Sequence, residues 1–162
     1  MQREPGLRER ALRLLARREH SRAELARKLG AHCGPEDDLD ALLDDLSRRK
    51  LLSDERYAEA RARQLARKYG AARIRHDLKA KGVDAALVAR VSGEGELERA
   101  RDILARKYRA PATTPRERAR RMRFLQSRGY SRATIRALLS SGGDDDALNP
   151  ERAENAVRAE RG

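Results

Sequence analysis

The chain is poor in the residues that build large cores and in those that carry catalysis. It has no Trp, and aromatic residues make up 3% of its 162 positions. With apolar residues at 39%, one large compact core is not expected, and several small cores built from Leu and Ala fit better. Cys33 is the single cysteine, so no intrachain disulfide can form, which permits a reducing compartment. No apolar run approaches the length of a membrane span, and the N-terminal residues lack a signal-peptide core. A cytoplasmic protein without a membrane partner is therefore expected. No GxxxxGK[ST], CxxC or HExxH pattern occurs. His20, His32, Cys33 and His76 are too scattered to suggest a zinc set. Ser21, Ser53 and Ser131 read as helix caps rather than nucleophiles. No catalytic residue, metal site or cofactor is expected, and the chain does not read as an enzyme.

What is present is helical periodicity that repeats. The clearest unit runs from Leu51 to Val91. Ser53 caps a helix that opens with Asp54 and Glu55, acids that suit its positive end. Tyr57, Ala58, Ala62, Leu65 and Tyr69 share one face, and Gly70 ends it. Ala71, Ile74 and Leu78 form a second stripe. Gly82 then suits the left-handed position after a helix, with Val83 as the apolar contact of a Schellman end. Asp84 caps a third, short helix carrying Leu87, Val88 and Val91.

Parts of this unit recur on both sides. Leu65-Ala66-Arg67-Lys68 returns as Leu104-Ala105-Arg106-Lys107, each followed by Tyr, with a weaker copy at Leu15-Ala16-Arg17-Arg18. Leu78-x-x-Lys81-Gly82-Val83-Asp84 matches Leu125-x-x-Arg128-Gly129-Tyr130-Ser131. In the first unit, Leu7, Ala11, Leu14 and Leu15 form one helix face. Ser21 and Glu24 form a capping box for the next helix, whose stripe is Leu25 and Leu29 and whose end is Gly30. Asp37 or Asp38 starts the third helix, with Leu39, Leu42, Leu43 and Leu46 inward. In the last unit, Leu97, Ala100, Leu104 and Tyr108 form the first face. Thr114, Pro115 and Glu117 give the next helix a cap, a proline at its first position and a capping box. Ala119, Met122 and Leu125 line its inner face, Gly129 stops it, and Ser131 caps a last helix with Ile135, Leu138 and Leu139. The fold class is all-α: an elongated array of three tandem three-helix repeats. Residues 1–50 are the first repeat with a short leader, 51–95 the second, and 96–140 the third. Residues 141–162 lack a sustained stripe and read as a disordered tail.

The formal net charge is +12, and it is unevenly placed. Thirteen basic residues and two acidic ones fall between Arg99 and Arg136, so that segment carries +11 and the rest of the chain +1. Such a basic body attracts polyanions or acidic protein surface, although charged helix faces also occur simply as solvated faces. The acidic start of the first repeat's third helix reads as a solvated end favoured by the helix dipole. Phe124 lies opposite Ala119 and Met122, among Arg116, Arg120 and Arg123. An aromatic there suits stacking on bases or packing on a partner, unless a neighbouring helix covers it. The partner- or DNA-binding candidates are Arg101, Lys107, Arg116, Arg120, Arg121, Arg123, Phe124 and Arg128.

With these residues laid out, the chain resembles the RecX family of bacterial regulators of the RecA recombinase. The resemblance is carried by SRAELARKL, by LLSDERYAEARARQLARKYGAARIRHDLKAKGV and by RFLQSRGYSRATIRALL, in that order over roughly residues 7–140. The stretch KLGAHCGPEDDLDALL departs from the glycine-and-cap pattern of the later junctions. The resemblance implies tandem three-helix repeats and a negative regulator. Such a protein binds RecA filaments on single-stranded DNA, with possible direct contact to that DNA, and suppresses strand exchange and ATP hydrolysis. Two other readings come from the residues alone: a direct DNA- or RNA-binding helical module, and an adaptor for another acidic protein.

Overall fold

The computed structural model describes residues 6–139. The tail expected over 141–162 lies outside the described residues, as do residues 1–5. Among the described residues there are nine helices and no strand. They are α1 (Leu7–Arg17), α2 (Arg22–Gly30), α3 (Leu39–Arg48), α4 (Asp54–Ala66), α5 (Ala71–Ala80), α6 (Ala85–Ala89), α7 (Glu96–Lys107), α8 (Pro115–Ser127) and α9 (Arg132–Leu139). The helices group into two compact units. One ends at Ser92 and holds α1–α6, and the other begins at Gly93 and holds α7–α9.

Three small, mostly aliphatic cores replace one large one. In α1–α3, Ala11, Leu25, Leu29, Leu43 and Leu46 are buried together, joined by Leu52, the last residue before the Ser53 cap. In α4–α6 the buried set is Tyr57, Ala58, Ile74, Leu78 and Val83. In α7–α9 it is Ala100, Leu104, Leu125, Tyr130 and Ile135. Apart from Leu52, Val83 and Tyr130, which follow helix ends, these are the positions that the helical period puts on one face.

The two repeated glycine junctions form the same local structure. Gly82 has φ 72° and Gly129 φ 76°, both left-handed. The Val83 amide donates to the Leu78 carbonyl at 3.1 Å, and the Tyr130 amide to that of Leu125 at 3.2 Å. Each bond closes a Schellman end, and the apolar residue after each glycine is buried. The first repeat has no left-handed glycine after α2. Gly30 ends that helix, and the exposed turns of residues 31–38 follow. A left-handed residue occurs instead one helix later, where Lys50 has φ 58° and the Leu51 amide donates to the Leu46 carbonyl at 2.9 Å. Gly70 is a different kind of glycine from the one the periodicity suggests. It is extended (φ −79°, ψ 170°) and starts α5, while α4 has already ended at Ala66.

Within the first unit, the first two triads are tied by backbone-directed bonds. Ser21 Oγ accepts from the Glu24 amide at 3.1 Å, as an N-cap should. The same hydroxyl donates to the Lys81 carbonyl at 2.8 Å, satisfying a chain end left over by α5. Asp54 Oδ1 accepts from the Arg22 amide at 2.7 Å, so an acid at the start of α4 also caps α2. The capping box expected at Ser21 does not close through Glu24. That carboxylate is buried and turns to Arg18, with N–O distances of 2.5 and 3.1 Å, and to Lys28 at 3.6 Å. The ion pairs are the stronger partners for a buried carboxylate.

Candidate interaction surface

The second unit carries most of the excess positive charge and positions it through two helix ends. α7 stops at Lys107, and Tyr108 leaves it extended, its amide still bonded to the Leu104 carbonyl at 2.7 Å. α8 begins at the Thr114 capping box, with Pro115 in its first turn. Glu117 accepts from the Thr113 and Thr114 amides at 2.9 and 3.2 Å, and these bonds hold its carboxyl below its ordinary value. One of the two acids in the basic segment is thus spent on backbone. The other, Asp102, faces Arg106 at 4.0 Å.

Tyr108 and Phe124 meet edge to face, with ring centroids 5.9 Å apart at 88°. Lys107 lies 4.8 Å from the Phe124 centroid and Arg128 4.7 Å. Arg121 lies 4.8 Å from the Tyr108 centroid and Arg120 5.9 Å. Arg121 also donates to the Ala110 carbonyl. Four cations are thus seated on two rings, each contact contributing about 0.5–1 kcal/mol at an exposed site. Like charges gathered this closely repel, and an approaching anion relieves that repulsion.

The structure therefore brings together Lys107, Arg120, Arg121, Phe124 and Arg128. It leaves Arg116 and Arg123 exposed elsewhere on α8. Arg101 is exposed on α7 and pairs with Glu98 at 2.7 Å. Among the described residues, no carboxylate pairs with Arg116, Arg120, Arg121 or Arg123. Phe124 is half-buried against the third core, and its ring seats cations. The helical period puts Tyr108 on the core face, which it joins, but does not show that its ring also anchors the cation cluster. The repeated Lys-Tyr and Arg-Lys-Tyr pattern was the available signal, since Tyr69 in the second repeat also carries a cation, Arg73 at 5.9 Å.

Elsewhere, His20 is buried and neutral. Its Nδ1–H donates to the Arg18 carbonyl at 3.0 Å, and Nε2 accepts from Lys28 at 3.1 Å, since a lysine ammonium can only donate. Burial pushes its imidazole below the ordinary histidine value. Among the described residues, no group of three His, Cys, Asp or Glu is placed to hold a metal ion, and no helix is long and apolar enough to cross a membrane.

Comparison with known proteins adds sequence relatives to this geometry. Residues 8–46, 53–91 and 94–139 match, in order, the family descriptions "RecX, first three-helix domain", "RecX, second three-helix domain" and "RecX, third three-helix domain". The chain is 45% identical over 140 residues to the regulatory protein RecX of Leptothrix cholodnii, covering 83% of this chain and 87% of that one. It is 34% identical to its counterpart in Neisseria meningitidis, covering 90% and 97%. The crystal structure of RecX from Lactobacillus salivarius superposes with a TM-score of 0.71 at 21% identity, over 83% of this chain and 93% of that one. At that identity the likeness is one of fold.

Proposed function

The chain belongs to the RecX family, and on that premise we propose that it is a negative regulator of a RecA recombinase. It binds the RecA nucleoprotein filament on single-stranded DNA and suppresses strand exchange and ATP hydrolysis. It acts by binding rather than by catalysis, and it works in the cytoplasm, modulating recombination and DNA repair. The observation that carries this reading to particular residues is the set of cations on α8 that have no carboxylate partner among the described residues. Arg116, Arg120 and Arg123 are exposed, so they are available to acidic recombinase surface or to nearby phosphate. The cluster of Lys107, Arg121 and Arg128 on Tyr108 and Phe124 extends the same surface.

The test is RecA ATPase on single-stranded DNA, titrated with wild type and with the triple variant Arg116→Glu, Arg120→Glu, Arg123→Glu. All three positions are exposed, so the variant should keep its helical content. Weaker inhibition by the folded variant is expected. Equal inhibition would remove this face from the contact. A second reading, a direct DNA- or RNA-binding module, is favoured by the cations seated on aromatic rings. Tight binding of naked single-stranded DNA by wild type, with no effect on RecA, would establish it.

A further inference from the structure

The basic unit is not the only place where cations gather around an opening. α1 carries Arg10, Arg13 and Arg17, spaced three and four residues apart and so on one stripe. Across a cleft, α2 contributes Lys28, and His32 follows just beyond that helix. The floor is aliphatic, made of half-buried Leu14 and fully buried Leu29. The cleft holds about 410 Å³, within the usual range for a ligand site of about 300–1,000 Å³.

No carboxylate lines this cleft. Several acids of the first triad are engaged by bases outside the lining. Asp45 takes Arg8 and Arg49, Asp40 and Asp44 take Arg22, and Glu24 takes Arg18 at 2.5 Å and the rim's Lys28 at 3.6 Å. Glu9 pairs with Arg13 at 2.5 Å, outside the lining. Arg17 is exposed and has no carboxylate partner among the described residues. The rim is therefore positive and the floor is apolar.

We propose that this α1–α2 cleft is a docking site for an acidic peptide segment that carries one apolar anchor side chain. The rim selects the acid, and the Leu14–Leu29 floor selects the anchor. A nucleic acid fits it less well. Phosphates gain nothing from an aliphatic floor, bases stack best on broad aromatic faces, and the lining has no Phe, Tyr or Trp, only the His32 imidazole. This inference does not depend on RecA being the partner, and it uses residues apart from the α8 surface.

The test is fluorescence anisotropy with the full-length protein and a labelled nonapeptide of Asp and Glu with one central Leu. A twin peptide carries Ser at the centre, and a labelled oligothymidylate serves as the phosphate control. The Leu peptide should bind about tenfold more tightly than the Ser peptide, since one buried aliphatic side chain supplies that factor. The exposed pair Arg13→Glu and Arg17→Glu should weaken the Leu peptide by at least about tenfold while the oligothymidylate changes far less. The α8 triple reversal should leave peptide binding unchanged. Equal affinity of the Leu and Ser peptides would overturn the proposal, leaving only a general basic surface. So would no saturable binding of the Leu peptide, or an equal loss for oligothymidylate. Sedimentation showing that two copies associate through this face would also overturn it, because the occupant would then be the chain itself.

Discussion

Gly82 does two jobs, and only one of them is local. Its φ of 72° is the left-handed conformation that the motif Lys81-Gly82-Val83 implies. The second job lies across the seam: a Cβ built on Gly82 would stand 2.5 Å from the Cβ of Ala23 in α2. Gly82→Ala should therefore cost about 1–3 kcal/mol in denaturant unfolding, more than the backbone term alone. Adding Ala23→Gly should recover the steric part and leave the strain of positive φ. Ala23→Gly alone costs some helix stability, so the cycle includes that single variant, and changes that simply add would show that the close approach contributes nothing. Lys50 is the converse case, a residue with a Cβ placed at φ 58° where the other junctions have glycine. Lys50→Gly should stabilise by roughly 0.5–1 kcal/mol, the relief of left-handed strain less the entropy glycine adds to the unfolded chain. A lower unfolding midpoint for that variant would mean that the exposed Lys50 side chain contributes more than its conformation costs.

At the scale of elements, helix starts and ends carry most of the specificity. Thr114 and Glu117 close their capping box as their spacing predicts. Ser21 and Glu24 have the same spacing and do not, because the Arg18 guanidinium reaches the buried Glu24 carboxylate first. That ion pair, helped by Lys28, holds Glu24 down at about 2, well below its ordinary 4.5. A depressed carboxyl stabilises the fold above the ordinary value and loses that contribution as pH falls through the folded one. The first unit should therefore lose stability between about pH 4.5 and pH 2. Glu24→Gln should cost about 1–2 kcal/mol near neutral pH, discounted because Arg18 is half-exposed, and should flatten that acid limb. Wild type and variant with parallel pH profiles in urea unfolding would exclude Glu24 as the titrating group. In the second unit, buried Glu96 accepts from the Ser131 amide at 3.1 Å and from Thr134 Oγ1 at 2.7 Å. As with Asp54 and α2, an acid at the head of a triad caps the start of a helix that is distant in sequence.

For the whole molecule, charge and repeat pattern answer different questions. The +11 concentrated between Arg99 and Arg136 makes any contact through the second unit sensitive to ionic strength. The advantage of wild type over the α8 triple variant in the RecA assay should shrink as salt rises. An advantage that stays constant with salt would mean the arginines act through packing or geometry. The helical class, the caps at Ser53, Asp84 and Thr114, the Schellman glycines and the core faces are legible in the order of residues alone. Those features depend on residues within one or two turns of each other, where spacing is geometry. That order also places the excess charge, since charge is additive along a chain. Which partners the polar groups take is settled by packing in three dimensions. Ser21 reaching the Lys81 carbonyl, Asp54 reaching the Arg22 amide and Glu24 choosing Arg18 are contacts between groups that local spacing does not relate, or that compete for one carboxylate. The same holds for Lys107 and Arg128 meeting over Phe124, and for the cleft between α1 and α2. In each case the outcome depends on how helices pack, and packing joins residues that the helical period alone leaves apart.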